Sequence, residues 1–161
     1  MKHLLVWRPF AGGVAAILLA GCAGAPSQSD GGVSVVLSVD RTTVTTSTPV
    51  QLTITTTNRG TTPAEIVDPR SYACPRPYGV VNAAGNAVPL PTRVCAAIAF
   101  TPRLLQPGES VSVTDQWSGD QSDGAFGAVP VAPGAYQITA RLAPQQQLLV
   151  SSPVTVSVPA R

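Results

Sequence analysis

The sequence predicts an all-β fold, an immunoglobulin-like antiparallel β-sandwich of about seven to nine short strands. Beyond residue 30, apolar residues alternate with Thr and Ser at a period of two, and we find no convincing helical period. The alternating segments are rich in Val, Ile and Thr, which favour strands. The chain also has 14 Gly and 16 Pro, and these residues separate the segments at intervals of roughly 8 to 12 residues, as in sandwich domains.

The alternation predicts the order of strands and turns. Turns are expected at Asn58-Arg59-Gly60, Ala84-Gly85-Asn86 and Gln106-Pro107-Gly108, where Asn, Pro and Gly are favoured. The earlier strands are expected at 33–39, 50–56, 64–67, 80–82, 94–100 and 110–117. The last two strands each have one apolar face, formed by Tyr136, Ile138, Ala140 and Leu142 and by Val154, Val156 and Val158. We therefore expect one sandwich domain over residues 33–159, with Thr and Ser facing solvent.

The first 21 residues have the organisation of a secretory signal peptide. Lys2 and Arg8 accompany a short apolar stretch at residues 10–20, and a membrane-spanning helix would need roughly 20 apolar residues. The stretch ends in Leu-Ala-Gly-Cys22, which resembles the lipobox of bacterial lipoproteins. That resemblance implies cleavage before Cys22, thioether lipidation of its sulfur and acylation of the new amino terminus. The alternative is an ordinary signal peptide followed by a chance cysteine.

Lipidation of Cys22 would hold the protein at a membrane. Each buried CH₂ contributes about 0.8 kcal/mol, so two or three acyl chains anchor firmly where one holds only marginally. Residues 22–32 then comprise the lipidated cysteine and a small, polar tether that has the composition of a flexible linker. Ala23, rather than Asp, follows the cysteine, and the lipoprotein resemblance therefore favours the outer membrane if the organism is a diderm. We expect an extracytoplasmic location in the cell envelope.

The residue types missing from the mature part restrict its chemistry. The only His, His3, and the only Lys, Lys2, both lie in the predicted signal peptide. The mature part therefore lacks the groups for Ser-His-Asp or Cys-His catalysis, for a lysine Schiff base and for a His-bearing zinc site. Without Lys2 and Arg8, eight basic and eight acidic residues remain (10 − 2 against 8), so no basic patch for nucleic acid is expected. We predict no enzymatic activity, cofactor, metal ion or nucleic-acid partner.

The cysteine content predicts a disulfide bond. The chain has three Cys, and assignment of Cys22 to lipid leaves Cys74 and Cys95 in an exported, oxidising environment. The bridge would close a loop of about 20 residues and stabilise the fold by roughly 3 kcal/mol in the chain-entropy description. Two free thiols or a redox pair are the alternatives.

The segments LLQPGESVSVTDQW (104–117) and PGAYQITARL (133–142) resemble the BsuPI family of intracellular proteinase inhibitors. Those domains are small β-sandwiches with an Asn-containing turn after an early strand, an L-x-P-G-E-S turn, a Trp and a late P-G-x-Y. In this chain the corresponding positions are Asn58, 105–110, Trp117 and 133–136, within a resemblance that covers about residues 35–143. The resemblance implies a sandwich fold and proteinase inhibition, although this chain departs from the family in its predicted export and its two additional cysteines.

The candidate partner-binding loop is PRSYACPRPYG, residues 69–79, which Cys74 would fix in place. The residues expected to project from it are Arg70, Tyr72, Arg76 and Tyr78. Arg and Tyr are frequent hot-spot residues, and a rigid loop loses less entropy on binding. Arg76, between two prolines, has the right chemistry to enter the S1 pocket of a protease. The structural alternative is a stapled loop that covers one end of the sandwich.

These observations lead us to expect a membrane-anchored protein-binding module whose partner is a protein, with a protease as the most specific candidate. The alternative is a non-inhibitory structural or accessory domain of the cell envelope. The sequence leaves the identity of the partner and the oligomeric state open.

Three other groups of residues have both a functional and a structural interpretation. Asp115, Asp120 and Asp123 offer oxygen ligands of the kind Ca²⁺ takes, but residues 118–128 have no EF-hand spacing and are expected to form a mobile loop. Trp117 and Tyr136 form either a sugar-binding platform or, as we expect, part of the core with Tyr136 as a corner tyrosine. Eleven Thr between residues 42 and 62 are interpreted as filling solvent-facing strand positions, with O-glycosylation as the alternative.

The lipobox interpretation makes a direct prediction about processing. Globomycin, which blocks the lipoprotein signal peptidase, should cause a slower-migrating precursor that retains residues 1–21 to accumulate. The measurement is the mobility of the protein on a gel with and without the antibiotic. Unchanged mobility would count against lipidation of Cys22.

Overall fold

The structure is a computed structural model that describes residues 29–30, 32–68, 76–93, 102–142 and 148–160. The described residues form twelve β-strands and no helix, which confirms the all-β, sandwich-like prediction. The strands are β1 (Ser29–Asp30), β2 (Val33–Val39), β3 (Val50–Asn58), β4 (Ala64–Val67), β5 (Tyr78–Asn82), β6 (Pro102–Leu105), β7 (Ser110–Trp117), β8 (Asp120–Ser122), β9 (Ala128–Pro130), β10 (Gly134–Leu142), β11 (Leu149–Val150) and β12 (Val154–Val158). Within these ranges, no helix is long and apolar enough to cross a membrane.

The first sheet has the order β1-β2-β3-β7, with every neighbouring pair antiparallel. Strand β3 starts opposite Trp117 and ends beside the start of β7, where Thr57 faces Ser110. Strands β2 and β7 are both antiparallel to β3, so they run in the same direction. We call the end of the sheet at which they finish the Trp117 pole, and the end at which they start the Asn58 pole.

The second sheet is centred on β10, which pairs antiparallel with β5, β11 and β12. Two further antiparallel pairs, β4 with β6 and β8 with β9, complete the described strands. Strand β2 of the first sheet contacts β10, β11 and β12 of the second. The two sheets therefore pack face to face, as in a sandwich.

The core lies between the sheets and consists of the apolar faces of their strands. On β3 the inward positions are Val50, Leu52 and Ile54, all fully buried, as the period-two pattern predicts. The outward threonines form cross-strand pairs, in which the hydroxyls of Thr55 and Ser112 lie 2.9 Å apart. Thr56 is the exception, because it faces inward and is buried.

A short segment between β2 and β3 moves from the first sheet to the second. Thr43 forms a parallel bridge with Ser157 of β12. The N–H of Val44 donates to the carbonyl O of Ser157 over 2.9 Å, and the N–H of Ser157 donates to the carbonyl O of Thr42 over 2.7 Å. This segment therefore connects β12, at the edge of the second sheet, to the end of β2 in the first sheet.

The Asn58 pole is organised by one buried amide. Asn58 is fully buried, and its Nδ2 donates to the carbonyl O atoms of Thr62 (2.8 Å) and Leu105 (2.9 Å). Its Oδ1 accepts from the N–H of Gly60 over 2.9 Å. Its backbone N–H donates to the carbonyl O of Glu109 (3.0 Å), and its carbonyl O accepts from Gly108 (2.8 Å). Asn58 therefore holds the turn after β3 and the turn before β7 together.

The turn before β7 is fixed by its own glutamate. Glu109 Oε2 accepts from the N–H of Gln106 over 2.9 Å, and Oε1 accepts from Arg103 over 2.9 Å. The Gln106 amide, followed by Arg103, holds the pKa of Glu109 below its usual value. Gly108 in this turn has a φ of 79°, a left-handed conformation that glycine adopts without strain. The P-G-E-S stretch is therefore a self-capped turn.

The observed strands differ from the predicted ones in specific places. The expected bounds of β2, β4 and β7 match, and β3 extends two residues further, to Asn58. Residues 29 and 30 pair with β2 although the sequence placed them in the tether. The expected strand at 94–100 lies outside the described residues. Residues 118–128, expected to be a loop, contain β8 and the start of β9, which pair as a hairpin.

Replacement of Asn58 by Ala should remove three side-chain hydrogen bonds, of which the one to Leu105 is buried and the other two are partly buried. An unsatisfied buried polar group costs about 1–3 kcal/mol, and we expect the free energy of unfolding to fall by about 3 kcal/mol. Urea unfolding followed through Trp117 emission measures the loss.

The matched control is Asn82→Ala, which also removes an Asn that caps a turn. Asn82 Oδ1 accepts from the N–H groups of Ala84 and Asn86, each over 3.0 Å, but in an exposed turn. Because water can replace these bonds, the loss should be about 1 kcal/mol or less. Equal losses for the two variants would show that the Asn58 amide has no special role.

Candidate binding surface

The candidate loop joins the sandwich at its flanking residues, which the structure describes. Cys74, Cys95, Arg70 and Tyr72 lie outside the described residues, as does Cys22. The described flanks are Arg76–Tyr78, which lead into β5, and Pro91–Arg93, which precede the segment that contains Cys95. Both flanks lie beside β7. Three side chains connect the flanks to each other or to β7.

Tyr78 is a core residue rather than a projecting one. It is the first residue of β5 and lies opposite Ala140 of β10, with 4% of its surface exposed. Its hydroxyl donates to the carbonyl O of Gln116 on β7 over 2.8 Å. Tyr78 thereby links the second sheet to the first, and the expectation that it projects from the loop is corrected.

The environment of Tyr78 keeps its hydroxyl protonated. Burial is the first cause and the Asp115 carboxylate the second, and together they raise the pKa of Tyr78 from 10.0 to about 12. Both effects disfavour the negatively charged phenolate. The hydroxyl therefore remains a hydrogen-bond donor across the physiological pH range.

Arg76 also turns towards the protein. It is half-buried, and its Nη1 donates to the carbonyl O of Pro91. Its Nε is buried, and it has no hydrogen-bond partner among the described residues. The guanidinium therefore ties one flank to the other, which corrects the expectation that Arg76 projects from a loop pinned by Cys74.

Arg93 anchors the second flank to β7. Its guanidinium faces the Asp115 carboxylate in a two-bond arrangement, with Nη1 to Oδ2 at 2.9 Å and Nη2 bonded to Oδ1. The Asp115 side chain is 8% exposed and that of Arg93 33%, so the pair is partly shielded from water. A two-bond contact fixes orientation as well as distance. Next to it, Gln51, Thr114 and Gln116 line the rest of an open polar depression.

The three aspartates considered for Ca²⁺ have separate roles. Asp115 pairs with Arg93, Asp120 Oδ2 accepts from the Ser118 hydroxyl over 2.9 Å, and Asp123 Oδ1 accepts from two backbone N–H groups. In the described part of the chain, no group of three Asp, Glu, Cys or His side chains is arranged to hold a metal ion. The structure thus does not bring these carboxylates together.

The two aromatic residues considered as a sugar platform lie in the core. Trp117 is 3% and Tyr136 5% exposed, and their rings meet edge to face with centroids 5.4 Å apart. The Tyr136 hydroxyl donates to the carbonyl O of Ala132, four residues earlier, over 2.6 Å, as in a tyrosine corner. The expected core assignment is therefore confirmed, and the platform interpretation is wrong.

One exposed residue was not foreseen from the sequence. Phe126, in the turn between β8 and β9, is 89% exposed. The available signal was the sequence Asp-Gly-Ala-Phe-Gly at 123–127, in which an apolar aromatic stands among turn residues. The ion pair between Arg93 and Asp115 was also not foreseen, because no local spacing relates those positions.

Comparisons with known proteins assign no family. No family model matches the sequence, and no curated protein matches it. A β-glucosidase from Erythrobacter marinus has a TM-score of 0.47 and 14% identity, over 78% of this chain and 15% of its own. A β-glucosidase from Listeria innocua in complex with gluconolactone has a TM-score of 0.43 and 13% identity, over 80% and 16%. Northeast Structural Genomics Consortium target SoR45 has a TM-score of 0.43 and 14% identity, over 82% and 91%.

The present chain spans about one sixth of the length of those two β-glucosidases. At these TM-scores and identities, the similarities carry no argument about activity.

The raised pKa of Tyr78 predicts a loss of stability at high pH. An unfolded tyrosine loses its proton near pH 10, whereas the folded one retains it until about pH 12. Between these pH values, loss of the tyrosine proton stabilises the unfolded state but not the folded state. The free energy of unfolding should therefore fall by up to about 3 kcal/mol. Below pH 10 this contribution is fully present.

The measurement is urea unfolding at several pH values for the parent chain and for Tyr78→Phe. The variant loses the bond to Gln116 but keeps the ring, so it should have a smaller fall in stability between pH 10 and 12. The same pH dependence in both proteins would show that Tyr78 does not titrate in this range.

Proposed function

We propose that this chain is a lipid-anchored, extracytoplasmic β-sandwich that binds another protein through the surface beside its two cysteine-containing segments. The observation that carries the proposal is the fixing of both flanks to the sandwich. Arg76 binds the carbonyl of Pro91, Tyr78 binds that of Gln116, and Arg93 binds Asp115. A loop whose ends are held in this way loses less conformational entropy when it binds a partner.

The arrangement of the flanks also supports the proposed disulfide bond. Arg76 lies two residues after Cys74, and Arg93 lies two residues before Cys95. The contact between Arg76 and Pro91 brings the two flanks within hydrogen-bonding distance. A disulfide needs Cα atoms about 4.4–6.8 Å apart, and flanks that one arginine side chain connects are compatible with such a bridge.

The lipid anchor is supported by the lipobox-like sequence and by the place where the described strands begin. The first described strand begins at Ser29, and six residues lie between it and Cys22 in the sequence. Such a linker spans roughly 25 Å at most. The proposed anchor would therefore keep the domain close to the membrane surface.

Proteinase inhibition is the most specific form of the proposal, and it draws on the resemblance to the BsuPI family. The structure changes which arginine we propose for the contact. Arg76 is engaged by Pro91 and would have to break that bond to enter a protease pocket. Arg70 and Tyr72, in the same loop, lie outside the described residues, and Arg70 is the other arginine that the sequence predicts for the contact.

The test is an inhibition panel with oxidised residues 23–161 against subtilisin-like and trypsin-like proteases. The protein is first shown to have no free thiol when unfolded without reductant, and each mixture is checked for cleavage of the domain. We expect stoichiometric inhibition without cleavage. Arg70→Ala should weaken it at least about tenfold, because truncation of a hot-spot residue costs about 2 kcal/mol or more.

Two variants serve as controls. Arg41→Ala removes an exposed arginine that pairs with its neighbour Asp40, and it should leave inhibition unchanged. Arg76→Ala should lower the thermal midpoint, because it unties the two flanks. Absence of inhibition by a folded, oxidised protein would reject the inhibitor proposal and favour an accessory role in the envelope.

A further inference from the structure

The hairpin of β8 and β9, which we call the finger (residues 120–130), carries the most exposed large apolar side chain of the described residues. Phe126 is 89% exposed and Val129 40%. In the finger, β8 and β9 pair antiparallel, with Asp120 opposite Pro130 and Ser122 opposite Ala128. A large apolar side chain held in water is unfavourable, and such exposure marks an interaction site when the surrounding structure enforces it.

The turn that carries Phe126 is enforced by Asp123. Its Oδ1 accepts from the N–H of Ala125 over 2.9 Å and from that of Gly127 over 3.0 Å. Gly124 has a φ of 88°, and a Cβ at Gly127 would lie 2.2 Å from Asp123 Oδ2. The two glycines therefore allow the aspartate to close the turn, which leaves Phe126 outside.

The base of the finger is fixed to the sandwich. The indole N–H of Trp117 donates to the carbonyl O of Asp120 over 3.0 Å. The N–H of Ser122 donates to the carbonyl O of Pro89 over 2.7 Å, and the N–H of Val131 donates to that of Gly119 over 2.9 Å. Phe126 is consequently presented on a supported element and is not the end of a free loop.

The composition of the finger indicates the kind of surface it meets. Residues 124–130 read GAFGAVP and carry no charge. Beside Phe126 this segment offers only small apolar residues, and the charged residues of the finger, Asp120 and Asp123, precede it. The interfacial layer of a bilayer accepts an apolar tip, and the Asp123 carboxylate beside Phe126 already accepts two backbone N–H bonds.

The direction of β1 points to the same end of the molecule. Strand β1 is antiparallel to β2, so Ser29 is the end of β1 that lies nearer the Trp117 pole. The finger starts at that pole, because only Ser118 and Gly119 separate β7 from β8. Ser29 lies level with Ser34, and the distance from that level to the end of β2 at Val39 is roughly 17 Å. The linker from Cys22, with its reach of roughly 25 Å, covers it.

We propose that the finger inserts Phe126 into the interfacial layer of the same membrane that holds the lipid on Cys22, so that the Trp117 pole faces the bilayer. This inference rests on the proposed lipid anchor. The anchor and the finger together form two attachment points, and two points restrict the orientation of the domain where one does not. The surface beside the cysteine-containing segments would then be held at a set orientation to the membrane.

The test uses the full lipidated chain in phosphatidylcholine vesicles, with Phe126→Trp as a reporter. The matched control is Leu104→Trp, because Leu104 is also apolar and 54% exposed, but it lies near the Asn58 pole. Emission is measured with and without lipid that carries a doxyl quencher near the headgroup. The signal of buried Trp117 is subtracted by using the parent chain. We expect quenching at position 126 at least about threefold stronger than at position 104.

Flotation of the vesicles separates the possible failures. A chain that floats but is quenched equally, or not at all, at the two positions overturns the finger proposal and leaves the anchor standing. A chain that does not float overturns the anchor and the finger proposal with it. Emission at position 126 that shifts to the blue in isolated cell envelopes, without quenching in lipid vesicles, would show that the finger binds a protein and also overturns insertion into lipid.

Discussion

The buried amide of Asn58 is the contact on which one end of the sandwich depends. Both of its polar side-chain atoms and both of its backbone groups are used, and they connect the turn after β3 to the turn before β7. Apolar packing alone cannot close this pole. The carbonyl groups of the turns lose their hydrogen bonds to water when they are buried, so they need hydrogen-bond donors within the protein. The Asn-containing turn and the P-G-E-S turn, which lie about 50 residues apart in the sequence, are therefore parts of one hydrogen-bonded unit.

Much of the fold follows from local pattern, whereas most of the site does not. Strands β2, β4 and β7 match their predicted bounds because apolar and polar residues alternate within them. The hairpin at 118–130 was missed because Gly, Asp and Ser there suppress the alternation. The position of Tyr78 between Pro77 and Gly79 predicts a loop residue, yet register places it opposite Ala140 in the core. Contacts set by register between distant strands leave no mark on local composition.

The Trp117 pole combines core packing with presentation of a surface element. Trp117 ends β7, meets Tyr136 of the second sheet edge to face, and holds the base of the finger through its indole N–H. One side chain thus joins the two sheets and positions the hairpin beyond them. Its neighbour Gln116 accepts the hydroxyl of Tyr78 from the other side of the sandwich. Residues 115–117 therefore receive contacts from each of the segments that we propose for function.

The crossing segment between β2 and β3 has a consequence for the order in which the chain can fold. Thr42 accepts a backbone hydrogen bond from Ser157. The segment that follows β2 therefore pairs with a residue that is synthesised 115 residues later. Proteins dominated by such non-local pairings fold slowly, since loop-closure entropy precedes any gain from contact. The two sheets cannot be joined at this edge before β12 has emerged. Until then the N–H of Val44 and the carbonyl O of Thr42 lack the backbone partner that Ser157 supplies in the finished fold.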